Sequence, residues 1–376
     1  MKFDNISIGL NELILVIISF FLCCLLISLR RHVPRLTGAV GNMSAVQSMH
    51  IRPTPRVGGL AIFGSLGICL MFLPVHLSSV YGKLFVATSF LFIVGLLEDL
   101  GFGMSPRKRL LAAIASSIAM MFLFGTWLPR ADVPGLNILL THWSVGGFLT
   151  VLLTVGIANG FNMIDGVNGL ASMTAIITAF ALSLIASQSG YLEMAQITVM
   201  LAACILGFLF MNYPFGLIFL GDAGAYTLGF VLSWFGILIL VNVPEVSPWA
   251  ILLTMFWPVA DMLLAIYRRA CRSADTMAPD RLHVHQMVMR SLEICFLGRK
   301  NRSIANPLST FVLFPFVVTP PVLGVIFWNQ SILAFLSVVI FGLLFFSSYT
   351  LAIMVIKHNR SRVENDWQKL KVPTAK

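Results

Sequence analysis

The sequence predicts an all-α, polytopic integral membrane protein with about 11 transmembrane helices. Three observations carry that prediction. Hydrophobic residues make up 58% of the chain and charged residues only 11%, against roughly 25% charged in a soluble domain. The apolar residues gather into runs long enough to cross a bilayer. No alternating apolar–polar pattern with a length near ten residues recurs, which argues against an outer-membrane barrel.

The runs cover approximately residues 10–29, 57–76, 83–98, 109–128, 144–161, 169–187, 194–212, 222–241, 248–267, 308–328 and 331–356. The first follows a short N-terminus with one lysine and precedes no small-residue cleavage site, so it is expected to be a retained helix. An odd number of crossings puts the termini on opposite sides. With the N-terminus outside, the inner segments are 30–56, 98–109, 158–170, 212–222, 267–307 and 357–376, and they hold 22 of the 25 lysines and arginines. Only Lys2, Lys83 and Arg130 fall elsewhere. The positive-inside bias therefore predicts a periplasmic N-terminus and a cytoplasmic C-terminus. The same placement accounts for the net charge of +10 without nucleic acid as a partner. Residues 1–357 are expected to form a single transmembrane domain, and 358–376 a polar, partly disordered tail. The six cysteines lack metal-site spacing, and Cys271 and Cys295 fall in a basic inner loop where disulfides are rare.

Polar residues concentrate at the inner ends of the runs. Between the fifth and sixth runs lies Asn159-Gly-Phe-Asn-Met-Ile-Asp-Gly-Val-Asn-Gly-Leu170. Asn159, Asn162 and Asp165 recur every three residues and would share a helix face. Gly166 and Gly169 permit a tight turn around Asn168. As the bland alternative, such a stretch is a helix end capping itself. Segment 30–56 ends in His50-Ile-Arg-Pro-Thr-Pro-Arg-Val-Gly-Gly59, where Arg52 and Arg56 could meet phosphate or simply anchor the chain at the membrane surface. Gly58 and Gly59 let the second helix start close to a neighbour.

The third run ends in Glu98-Asp99, adjacent like charges that call for a divalent cation or basic neighbours. Ser105-Pro106 reads as an N-cap with proline at the first helical position, followed by the basic run Arg107-Lys108-Arg109. Asn212-Tyr-Pro closes the seventh run. Ile218-Phe-Leu-Gly-Asp-Ala-Gly224 opens the eighth, with Asp222 at a helix N-terminus where the dipole favours it. Asp261, two turns before Arg268-Arg269, reads as half of a structural ion pair. In the longest inner loop, Pro279-Asp-Arg-Leu-His-Val-His285 places His283 and His285 on one face of an extended segment. Two histidines without cysteine partners do not make a structural zinc site, and with Arg281 they suit an anionic phosphate better. Five separated segments thus send acids, amides and imidazoles to the same side, which suggests Mg²⁺ and a phosphorylated substrate at headgroup level.

Five motifs, in order along most of the chain, resemble those of the polyprenyl-phosphate N-acetylhexosamine-1-phosphate transferase family. They are Arg52-Pro-Thr-Pro-Arg-Val-Gly-Gly59, Gly95-Leu-Leu-Glu-Asp99, Asn159 to Leu170, Phe219-Leu-Gly-Asp-Ala-Gly224 and Pro279 to His285. That family includes the enzymes that start O-antigen and enterobacterial common antigen synthesis, and the muramyl-pentapeptide translocase. The eleven-run count and the Pro-Asp-Arg-x-His-x-His loop look like the O-antigen-initiating branch.

The resemblance implies transfer of a sugar-1-phosphate from a UDP-sugar to undecaprenyl phosphate in a bacterial inner membrane, with release of UMP. It implies Asp222 as the main ligand of Mg²⁺, or of Mn²⁺ in its place, with Asp99 near the metal or the lipid phosphate. Asn159, Asn162, Asp165, Asn168 and Asn212 would line the nucleotide site, with Phe219 stacked on uracil. Arg52, Arg281, His283 and His285 would contact phosphate or sugar, and Glu98 would bind or deprotonate the lipid phosphate.

Three positions depart from the family pattern: Glu98 where an aspartate is usual, Asn168 for the second acid of the central motif, and Gln286 for a third histidine. N-acetylglucosamine is the default sugar, with N-acetylfucosamine or N-acetylquinovosamine as alternatives. A homodimer is compatible with the sequence. A transporter or lipid flippase is the competing class, but it would place ionisable groups near the bilayer midplane, often within internal repeats.

Overall fold

The computed structural model describes residues 9–37, 54–71, 73, 75–272, 283–298 and 301–370, with the backbone alone at 75, 76 and 355–370. Arg52 and Arg281 lie outside the described residues. Among the described residues there are helices and connecting turns and no strand. In order they are α1 (Leu10–Leu29), a 3₁₀ turn (Pro34–Thr37), α2 (Gly58–Leu70), α3 (Val75–Asp99), α4 (Pro106–Phe124), α5 (Leu136–Leu140), α6 (Trp143–Ile164), α7 (Leu170–Gln188) and α8 (Leu192–Asn212). There follow α9 (Gly221–Asn242), α10 (Pro248–Thr254), α11 (Phe256–Arg272), α12 (Val284–Leu292), a π turn (Glu293–Leu297), α13 (Arg302–Ile326) and α14 (Ser331–Leu370).

Every predicted apolar run falls on helix. Eight of the helices among the described residues are long and apolar enough to cross a membrane, and the bent pair α10–α11 makes a ninth. The two remaining runs are α2, which is only 13 residues long, and α4, whose first turn carries Arg107, Lys108 and Arg109. The protein is thus a multi-pass helical membrane protein. At the other end of the chain, α14 continues to Leu370, where the sequence suggested an irregular tail. Between Ser331 and Leu370 there is no proline and only one glycine to interrupt the helix.

The ninth run is one sequence segment but two helices, which meet at 84°. The cause is local. Pro258 has no N–H to bond the carbonyl four residues back. That carbonyl, on Thr254, instead accepts the Thr178 hydroxyl at 2.7 Å from α7. The start of α4 is as the sequence predicts, with the Ser105 hydroxyl accepting from the Lys108 N–H and proline at the first helical position.

At the centre is α9, buried along nearly its whole length. It packs against α6 on one side and α3 and α2 on others, while α8 joins α7 to α1. Such burial demands small residues where backbones meet. A Cβ on Gly59 would stand 2.3 Å from the Gly224 nitrogen, so α2 and α9 touch at glycine on glycine. The approach is sealed by three backbone hydrogen bonds: the Phe219 N–H donates to Pro55 O, and the Gly58 and Gly59 N–H groups donate to Phe219 O and Leu220 O, all at 2.8 Å.

Candidate active site

The N-terminus of α9 is the point on which the predicted site residues converge. Asp99, at the last position of α3, is buried and accepts from the Asp222 N–H at 2.8 Å and the Ala223 N–H at 2.9 Å. It therefore caps α9 from another helix, satisfying two N–H groups that a helix start leaves unpaired. Each carboxylate oxygen accepts one of these bonds and keeps a further lone pair. Gly221, one residue earlier, has φ +76, and its N–H lies close enough to Asp165 to favour the ionised carboxylate. Three acids from the ends of α3, α6 and α9 are thus drawn together by the backbone of residues 221–223.

Basic groups answer them. The Arg109 guanidinium, on the first turn of α4, forms an ion pair with Asp222. It also lies 5.9 Å from the Tyr226 ring centroid. Tyr226 follows Asp222 by four residues and so shares its helix face. Its hydroxyl donates to Asn159 Oδ1 at 3.3 Å and lies near Asn162. Arg56 is exposed but near enough to act on Asp99 and Asp165. Glu98 Oε2 is buried without a hydrogen-bond partner. Desolvation raises the Asp165 carboxyl from its ordinary 3.8 to about 7, against the lowering effect of Arg56 and the Gly221 N–H.

The loop after α6 forms the floor. Asn212 Oδ1 accepts from the Gly169 N–H at 2.7 Å, and its amide donates to Ile218 O at 2.8 Å. The Asn168 amide donates to Pro214 O at 3.0 Å. Both side chains are buried and engaged with backbone, so they shape the turn beneath the acids. The contact with Pro214 O also gives a physical reason for an amide at 168: a carboxylate could not donate there. From α13, Asn306 Oδ1 accepts from the Asn168 N–H at 2.8 Å, and the Thr310 hydroxyl donates to Asn168 O at 2.7 Å. Replacing Asn306 with alanine would strand the Asn168 N–H in a dry site. We expect a loss of about 1–3 kcal/mol, read as a lower melting temperature in detergent; an unchanged melting temperature would contradict this account of the floor.

The histidine segment reaches the same place from the far side. His285 is 1% exposed, with neither ring nitrogen hydrogen-bonded. It packs so closely on the central loop that a Cβ on Gly166 would meet its Nε2 at 2.4 Å. Burial holds its pKa down at about 4, so it is neutral near pH 7. His283 stacks on it at 5.7 Å with 17° between ring planes. Phe219 is half-buried beside this junction, its backbone hydrogen-bonded to Pro55 and Gly58.

The structure therefore gathers Glu98, Asp99, Asn159, Asn162, Asp165 and Asp222 around the start of α9, with His285 against Gly166 and Asn168 and Asn212 below. Among the described residues, no group of three or more His, Cys, Asp or Glu stands in metal-holding proximity. Arg109 and Tyr226 were not singled out by sequence, although their signals were present: a cation one turn past an N-cap, and a tyrosine four residues after Asp222. Asn306 gave no signal. Asp261 does not pair with Arg268 and Arg269 as its spacing suggested; its partner is His283, at 2.8 Å.

These features define a multi-pass membrane protein with a carboxylate, amide and imidazole site at one end of its bundle. A family model described as glycosyl transferase family 4 matches residues 81–240. The chain is 30% identical over 275 residues to the decaprenyl-phosphate N-acetylglucosaminephosphotransferase of Mycobacterium tuberculosis, covering 65% of this chain and 67% of that one. It is 30% identical over 252 residues to the undecaprenyl-phosphate alpha-N-acetylglucosaminyl 1-phosphate transferase of Yersinia pestis, covering 63% and 66%. To the protein of the same description from Escherichia coli K12 it is 28% identical over 293 residues, covering 73% and 76%. The chain belongs to glycosyl transferase family 4, among the polyprenyl-phosphate N-acetylhexosamine-1-phosphate transferases that its motifs resemble.

Proposed function

We infer that this protein is a phospho-N-acetylhexosamine transferase, moving N-acetylglucosamine-1-phosphate from its UDP derivative to a polyprenyl phosphate, undecaprenyl phosphate in the first instance. The observation that carries the reading is the convergence of Glu98, Asp99, Asp165 and Asp222 with Arg56 and Arg109 at the start of α9. The names of the relatives supply the sugar and the acceptor class.

In the reaction a lipid phosphate oxygen bonds the phosphorus next to the sugar. The bond from that phosphorus to the bridging oxygen breaks, and UMP leaves with the bonding pair. The nucleophile is already anionic, so the protein's task is to align two phosphate groups and offset their charge. Arg56 and Arg109 would face the phosphates, and Arg52 and Arg281 are expected from the motifs to add positive charge. Asn159, Asn162 and Phe219 would hold the nucleotide, and His283 and His285 the diphosphate or sugar. Asn168 and Asn212 fix the floor on which the donor rests.

Two carboxylate oxygens are of the kind a hard divalent cation takes: Glu98 Oε2 has no hydrogen bond, and Asp222 Oδ2 has only the Arg109 guanidinium. Asp222 would be the chief ligand of Mg²⁺ or Mn²⁺, with Asp99 near the metal or the lipid phosphate while it holds the helix that carries Asp222, and Glu98 beside them. The ion would supply charge neutralisation on the diphosphate.

We further propose eleven crossings, an outer N-terminus and an inner-membrane enzyme whose site faces the cytoplasm. This is supported by the 22 of 25 basic residues in the inner segments. Its place would be the first lipid-linked step of O-antigen or another envelope polysaccharide. The test is UMP release by the purified protein from UDP-N-acetylglucosamine, with polyprenyl phosphate and Mg²⁺. Release that requires both substrates supports the reading, and lipid translocation without UMP would replace it with a flippase. If Asp165 must be ionised to accept its contacts, kcat/KM should rise with pH and level off above about 7. A profile flat from mildly acid to mildly alkaline pH would contradict that role.

A further inference from the structure

Asp261 sits on α11 and is wholly buried. Its Oδ2 lies 2.8 Å from His283 Nδ1, and its Oδ1 accepts the Val284 N–H at 3.3 Å. The carboxylate therefore grips both the ring and the backbone at the entry to α12. A carboxylate only accepts, so His283 Nδ1 carries the proton and Nε2 is left with a lone pair when the ring is neutral. His283 stacks on His285, and His285 in turn rests on Gly166, the neighbour of Asp165. A continuous line of contacts thus runs from α11 to the central loop.

We propose that Asp261 is a positioning residue for the transfer reaction, fixing the tautomer and orientation of His283 and holding the 283–285 segment against the central loop. The proposal rests on the reading that these histidines contact the donor. Asp261 itself touches no expected substrate position; it acts through His283.

The decisive variant is Asp261→Asn, nearly the same shape. Its Oδ1 can still accept the Val284 N–H, while its amide would donate to His283 Nδ1 and force the opposite tautomer. Turnover should fall about 10–100-fold, by analogy with carboxylates that orient metal-bound histidines. The melting temperature in detergent should change little, and KM for polyprenyl phosphate should stay put. Asp261→Glu, which keeps the carboxylate, should recover part of the loss, and it carries the test should the asparagine variant fail to fold.

His283→Gln supplies the cycle. If Asp261 works through His283, the double variant should be no slower than His283→Gln alone. Multiplying losses would overturn the proposal, as would wild-type turnover in Asp261→Asn beside an impaired His283→Gln. Wild-type turnover in His283→Gln would remove the histidine reading and this proposal together, while UMP release would still stand for the enzyme.

Discussion

Replacing Gly221 with alanine should abolish transfer and lower the melting temperature markedly. Gly221 has φ +76, a region that costs an L-residue roughly 1–2 kcal/mol. Space is the greater obstacle. The new Cβ would stand 2.1 Å from Arg56 O and 2.6 Å from Asp99 Oδ2, and neither is the free end of a flexible chain. The substitution must push the 55–59 segment away from α9 or pull Asp99 off its two amides. Either outcome dismantles the junction that brings Asp99, Asp165 and Asp222 together. Overpacking adds about 1–3 kcal/mol more. UMP release and thermal melting in detergent read the two consequences. A variant with normal turnover would show that this junction is not where the chemistry is built.

Asp222→Asn should also abolish transfer, but for a chemical rather than a steric reason. The carboxylate is half-buried, faces Arg109 and stands at the start of α9. An amide of the same shape cannot offset a dication, and the loss should be on the order of several kcal/mol in the barrier, a thousandfold or more. The fold should survive, because Asp99 is held by the backbone N–H of residue 222 and not by its side chain. A modest fall in melting temperature is expected from the unpaired Arg109. Transfer at wild-type rate would remove Asp222 from the role of chief metal ligand. The pairing of the two variants is informative, since one should lose much of its thermal stability and the other only a little.

Much of this protein was legible along the chain. Apolar runs report a residue-by-residue preference for lipid, so the helices of residues 10–29 or 194–212 could be read with little error. The cap at Ser105-Pro106 and the glycines that let α2 meet α9 follow from backbone chemistry that is equally local. Basic residues sort between loops, and that sorting needs no tertiary contact to be seen. The break in the ninth run was half legible: Pro258 is plain in the sequence, but the Thr178 hydroxyl that satisfies Thr254 O lies on another helix.

The sequence by itself determined the membrane class, most of the long apolar helices, the segments that carry polar chemistry and the family. Only the tertiary structure decided which polar atoms already have partners. Asp99, which reads as a metal ligand, also caps α9 with both its oxygens, and Asn168 and Asn212, which read as substrate contacts, also bond the turn at 213–218. Asp261 reads as the partner of Arg268 until the chain returns 22 residues later to set His283 against it. The physical reason is one of range. Partition into lipid is a property of each side chain and its near neighbours, whereas a hydrogen bond forms within about 3 Å and depends on how distant helices pack.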